Sequence, residues 1–250
     1  MAVNNPIVNA RVKYVNGLEM AWVDTTHFTL NAGAASDSTN VDDIILPALV
    51  TNTISSVGVN GVDIAVAIAS TFYAVYVIGD STGYKATASI ISLSGVQPAL
   101  PSGYDMFRRV GWILTDSSSH VLKFWQYGHN SARDMWYDTP IATPAITTST
   151  TYVTQSLAAG VPPITCEVFL KYVYGAIAAG NSFQMGPYGS IPTVAMIDIS
   201  SPVVLGTATQ TGPVVVPSAL NAAVPTIEHK ESSASDTLVL AVSGYQDGLS

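Results

Sequence analysis

The residues of this chain with the makings of chemistry fall into a few groups. The densest is FWQYGHNSARDMWYD (124–138), where Trp125, Tyr127, His129, Arg133, Trp136 and Tyr137 stand beside amide and carboxylate side chains. A sugar ring needs that combination, because its C–H face stacks on an aromatic plane while its hydroxyls exchange hydrogen bonds in fixed directions. Trp, Tyr and Arg also dominate protein–protein contacts, so the same residues serve equally well as a subunit interface. Both readings stand at this level.

GDSTG (79–83) matches the G-x-S-x-G pattern of a nucleophile elbow and follows a strand-like run. A nucleophilic Ser81 would need a helix starting directly after it and a histidine partner. YKATASIISL follows instead and reads as another strand, so the motif is expected to be a β-turn, and no catalytic residue is assigned. The loop holding Asp37, Asn40, Asp42 and Asp43 offers several oxygens but lacks the spacing and closing Glu of a calcium loop. It is expected to close on its own Asx turns. His27, His120, His129 and His229 lack metal-ligand spacing and read as surface or loop residues. Cys166, the single cysteine, lies in strand-like PPITCEVFL, which excludes an intrachain disulfide and suggests a buried, unreactive thiol. No metal and no cofactor are expected. Arg108 and Arg109 point to opposite faces of a strand, so at least one should pair with a carboxylate such as Asp105 or Asp116, or with a neighbouring subunit.

The elements that must position these groups are strands. TFYAVYVI (71–78) is β-branched and aromatic almost throughout, which suits a strand buried on both faces. FRRVGWIL (107–114) and VLKFW (121–125) flank the turn-forming TDSSS, and Asn16-Gly17 is the strongest hairpin signal in the chain. Two strands are expected in 51–68, turned at Val59-Asn60-Gly61. No long stretch carries the 3.6-residue period of an amphipathic helix. The fold class is therefore all-β, a β-sandwich or jelly-roll-like arrangement, with two packed sandwiches as one form. YDTPIATPAITTSTT (137–151) reads as a seam, giving an N-terminal arm over 1–10, a first sandwich over 11–138 and a second over 139–250. In the second, strands are expected to include 164–174, 193–199, 203–209 and 238–242. VFLKYVY (168–174) echoes FYAVYVI, a hint of duplication.

Only 10% of the residues are charged while 48% are hydrophobic, against about 25% charged in an ordinary soluble domain. Such a surface suits a subunit whose neighbours cover part of it. The net charge of -8 argues against a protein that neutralises nucleic-acid phosphates. The longest uncharged apolar run, Ile64 to Ile78, is short of the roughly 20 residues a membrane helix needs, and MAVNNPIVNARVKYV has no signal-peptide pattern.

AGAASDSTNVDDIILP, NGVD, TFYAVYVIGDS and PALPSGYDMFRRVGWILTD, together spanning about Leu18 to Trp125, resemble a module of tailed-bacteriophage virion proteins found in tail-fibre, head-fibre and other capsid-associated subunits. The resemblance implies a non-enzymatic virion component, assembled in the host cytoplasm, that forms a homo-oligomer, with a trimer favoured, and contacts other virion proteins. Two roles follow: a fibre or spike subunit whose aromatic loop touches host surface carbohydrate, or a capsid- or neck-decorating protein that binds only virion proteins. A polysaccharide esterase or depolymerase is a third alternative.

Overall fold

The computed structural model describes residues 13–128, 132–189, 197–200 and 210–249. The expected arm over 1–10, His129 and the strand expected over 203–209 lie outside the described residues. Among the described residues there is no helix, and the chain is all-β, as the sequence requires.

The first nine strands are β1 (Val15–Gly17), β2 (Met20–Trp22), β3 (His27–Leu30), β4 (Gly33–Ser36), β5 (Asp43–Leu46), β6 (Val50–Thr53), β7 (Phe72–Gly79), β8 (Ala88–Ser92) and β9 (Met106–Leu114). They form three antiparallel sheets of three strands each, ordered β1-β4-β5, β2-β3-β6 and β8-β7-β9. The others are β10 (Phe124–Tyr127), β11 (Ala132–Ala142), β12 (Val153–Ser156), β13 (Cys166–Gly175), β14 (Ser182–Pro187), β15 (Ile197–Ser200), β16 (Gln210–Asn221), β17 (Val224–Glu231) and β18 (Thr237–Gly248). These build one large sheet in the order β10-β11-β18-β13-β16-β17-β14-β15, with β12 paired to β17.

β7 is buried along nearly its whole length because each of its faces meets a different apolar cluster. Tyr73, Val75 and Val77 join the main core, which runs from Val15 to Leu249 and draws on all four sheets; Ala74, Tyr76 and Ile78 pack with Ile90 and Trp112 in a second cluster. β13, its sequence echo, instead alternates buried Val168, Leu170, Tyr172 and Tyr174 with residues on the outer side of the sheet. One face of the large sheet thus covers the main core, and the other looks outward.

Three sequence expectations give way to tertiary pairing. Asn16-Gly17 does not turn a hairpin: β1 pairs with β4 and β2 with β3, so the chain changes sheets at Gly17 (φ +67°) and Leu18 (φ +60°). Gly17 is needed there because a Cβ would lie 2.5 Å from the Ala32 carbonyl oxygen. After β6, the segment 54–70 forms no second strand; Val62 makes only isolated bridges to Val57 and Ile91. The expected boundary between residues 138 and 139 falls inside β11, which pairs with β18 on both sides of a register shift between Trp136 and Ile141. Pro140 sits within that shift, where a missing N–H costs no ladder bond.

Gly244 is the most closely approached of the described glycines, since a Cβ on it would stand 2.1 Å from the Met135 carbonyl oxygen, whereas a Cβ on Gly248 of the same strand meets nothing within 4 Å. Gly244→Ala is expected to lower stability by about 3 kcal/mol or more, because backbone must move. Gly248→Ala should stay within about 0.5 kcal/mol of wild type. Chemical denaturation of the two variants checks the contrast.

Candidate functional site

The aromatic segment forms the antiparallel hairpin β10–β11, with Trp125 directly opposite Trp136 and Tyr127 opposite Asp134. Period-two alternation splits its residues between two faces. Trp125, Tyr127 and Trp136 face outward, at 41%, 58% and 36% exposure, while Phe124, Arg133, Met135 and Tyr137 are buried. Arg133 and Tyr137 therefore do not belong to a solvent-facing site. The Tyr137 hydroxyl donates to the Gly160 carbonyl at 2.9 Å, and burial pushes its pKa well up.

The outward face continues across three more strands. Trp136 is in register with Gly244, Gly244 with Phe169 and Phe169 with Val215. Because Gly244 has no side chain, Trp136 and Phe169 lean over β18 and stack, with ring centroids 4.5 Å apart and planes 8° from parallel. At the other end of the row, the Lys123 ammonium lies 5.0 Å from the Trp125 ring and pairs with Asp138 at 3.2 Å. Beside the row, Gln246 Nε2 donates to Asp134 Oδ1 at 3.0 Å. The result is an outward aromatic row, exposed at Trp125 and Trp136 and half-buried at Phe169, flanked by amide, carboxylate and ammonium groups. Phe169 and Gln246 had no signal in the local sequence, because they reach the hairpin only through the register of β13 and β18.

Beneath this face lies a cationic network. The Arg133 guanidinium is fully buried and donates to the carbonyls of Gly17, Leu18 and Val110. Burial pulls its pKa down, against the pull of Glu19 and Asp247 in the other direction. Arg109 Nη1 donates to both carboxylate oxygens of Asp247, at 2.9 and 2.7 Å. Arg108, on the opposite face of β9, donates to the Ser36 carbonyl at 2.7 Å, to Asn40 Oδ1 at 2.8 Å and to the Asp37 carbonyl. The expected partners Asp105 and Asp116 are engaged elsewhere. Asp105 accepts from the backbone N–H of Ser81 at 2.8 Å and from its hydroxyl. Asp116 caps its own hairpin loop through the N–H groups of Ser118 and His120.

Ser81 is thus held by a carboxylate in an exposed turn, and the next element is strand β8, as a turn reading of GDSTG requires. In the acidic loop, burial pushes the Asp37 carboxyl up, but hydrogen bonds from Thr39, Asp42 and Val41 outweigh it and leave the group below its usual range. No cluster of His, Cys, Asp and Glu among the described residues could hold a metal. His27 and His120 lie beside Asp24 and Asp116 at the surface. His229 does not fit the surface expectation: it is buried in β17, with Nδ1 2.9 Å from Glu231 Oε1. β17 is an interior strand flanked by β12 and β14, both paired to it at His229, a placement the local sequence does not encode.

A scan of protein-family profiles matches nothing in this chain, and no characterised relative matches it. Among solved structures, a carbohydrate-binding module of Cellvibrio mixtus lichenase 5A in complex with cellotriose is 13% identical at a TM-score of 0.23, over 50% of this chain and 86% of that one. An Arthrobacter globiformis isomalto-dextranase complexed with panose is 10% identical at a TM-score of 0.23, over 91% of this chain and 35% of that one. Likeness at this level carries no argument about function.

Two outcomes follow from the buried groups. Burial holds Asp247 above the usual carboxylate range, with Arg109 and Arg133 pulling it back. A raised carboxyl contributes its full stability below the unfolded pKa of about 4 and loses it as pH rises through the folded value. Arg109→Met removes one restraint and should cost about 3–5 kcal/mol at neutral pH, with part recovered near pH 4, as urea melts at both pH values will show. Burial also pushes the Cys166 thiol up to about 12. At pH 8 its thiolate fraction is then about one in ten thousand, and alkylation followed by mass spectrometry should modify it only once the protein is unfolded.

Proposed function

We propose that this chain is a non-enzymatic, oligomeric structural subunit of a tailed-phage virion, of fibre or spike type, that contacts carbohydrate through the outward face of its large sheet. The observation that supports the carbohydrate part is the outward row of exposed Trp125 and Trp136 and half-buried Phe169, carried on three strands and joined across Gly244. Broad apolar ring surface held on a rigid sheet takes the C–H faces of sugars at little entropic cost, while the Asp134–Gln246 pair at its edge offers donors and an acceptor to hydroxyls. The flanking Lys123–Asp138 pair balances itself, which favours neutral sugars over polyanions. The virion part rests on the sequence resemblance over Leu18 to Trp125, and the low charge of the chain fits a subunit that shares its surface with neighbours.

The test is a glycan-array and calorimetric comparison of wild type with a Trp125→Ala, Trp136→Ala double variant. Because both rings are partly exposed, the variant should fold, losing about 1 kcal/mol with the Trp136–Phe169 stack. Carbohydrate affinity should drop about tenfold or more. A variant that binds sugars as the wild type does would overturn the carbohydrate reading of the row, and one that fails to oligomerise would make the row a subunit interface instead.

A further inference from the structure

We infer that the hollow walled by Arg108 and Arg109 is a binding site for a small carboxylate with a short apolar body. The hollow has a volume of about 260 Å³. β9 is the outer strand of its sheet, so side chains from both of its faces border the free edge, and both guanidinium groups belong to the wall. Tyr76, Val96, Phe107 and Leu249 make up much of the rest.

Three observations select this ligand class. The first is unspent hydrogen-bond capacity. Arg108 is only 9% exposed, and an N–H group without an acceptor is costly at that depth. Its Nε and Nη2 are taken by the Ser36 and Asp37 carbonyls, Ser36 Oγ and Asn40 Oδ1, while Nη1 donates to nothing among the described residues. Arg109 spends Nη1 on Asp247, reaches the Gly248 carbonyl from Nη2 only at 3.4 Å, and among the described residues donates nothing from Nε. Free donors on two guanidinium groups at one hollow suit the two oxygens of a planar carboxylate. The second is charge. Arg109 is balanced by Asp247, but every acceptor that Arg108 meets is neutral. Asp37 acts on Arg108 through its field, yet its carboxylate oxygens accept from Thr39, Val41 and Asp42 instead. In a chain of net charge -8 the hollow thus holds a cation that no carboxylate contacts, which calls for a monoanion. The third is the apolar wall. Tyr76 and Phe107 meet edge to face at 5.9 Å, and Val96 stands 86% exposed at the rim. A bare ion would leave these surfaces wet, whereas an acid with an aromatic or short aliphatic body covers them while its head meets the arginines.

This inference goes beyond the reading above and depends on neither its virion part nor its carbohydrate part. The experiment is titration of the full chain with benzoate, followed by calorimetry and ligand-observed NMR, with acetate, benzyl alcohol and inorganic phosphate as comparison probes. The variants leave both arginines in place and change only the exposed rim: Val96→Asp and Val96→Lys. Wild type should bind benzoate with a Kd of about 1 mM or tighter and benzyl alcohol about tenfold more weakly or less. Val96→Asp should weaken benzoate binding about fivefold and Val96→Lys strengthen it by about the same factor. Both variants should keep the wild-type melting temperature and the wild-type affinity for benzyl alcohol. Acetate or phosphate binding as tightly as benzoate would make the hollow a site for an adventitious ion only and overturn the inference. So would a benzoate affinity that both Val96 variants leave unmoved, or no benzoate binding below about 10 mM.

Discussion

A guanidinium with no access to water holds this structure in register. Arg133 reaches from the large sheet to the corner at Gly17 and Leu18 and to Val110 of β9. The corner exists because the chain leaves one small sheet for another there, with two consecutive residues at positive φ and their carbonyl oxygens turned inward. Carbonyls buried without donors would each cost on the order of 1–3 kcal/mol. Arg133 supplies the donors, and those carbonyls partner both of its terminal nitrogens. Such an arrangement adds little net stability over an apolar packing of the same volume, but it admits far fewer alternative registers.

Arg109 and Asp247 make a second tie of the same kind, joining β9 to β18. Together the two arginines fix how the small sheets sit against the large one. That orientation leaves the far face of the large sheet uncovered, and the hairpin β10–β11 follows from it. Once Arg133, Met135 and Tyr137 are drawn inward, alternation along β11 sends Asp134, Trp136 and Asp138 the other way. The exposed aromatic row is thus a consequence of what is buried beneath it. Gly244 completes the row by keeping the middle strand bare, so that rings from β11 and β13 close over it.

The low charge of the chain has a related effect. With few charged side chains available, the surface divides into regions of distinct character: an aromatic face edged by paired ions and amides, and a nearly uncharged hollow between 62 and 99. Several ionic groups lie in the interior network, and in turns Asp24, Asp37, Asp80 and Asp116 cap backbone N–H groups.

The sequence by itself determined the local features. The absence of helical periodicity, the β-branched run at 71–78 and the turn chemistry of GDSTG and TDSSS made the all-β class legible, and with it the burial of β7 on both faces. It also marked the aromatic hairpin as the densest concentration of binding chemistry. Only the tertiary structure decided which of those residues face outward, because a strand's phase depends on what packs against it, and Arg133 and Tyr137 were taken by the core. The partners of Arg108 and Arg109 were equally out of reach, since Asp247 lies 138 residues further along the chain and Arg108 is held by the Ser36 and Asp37 carbonyls, which have no residue-type signature, and by Asn40 in a distant loop. Asn16-Gly17 reads as a hairpin in isolation, but its neighbours pair with strands of two different sheets, and long-range pairing overrides a local turn preference whenever it buries more apolar surface.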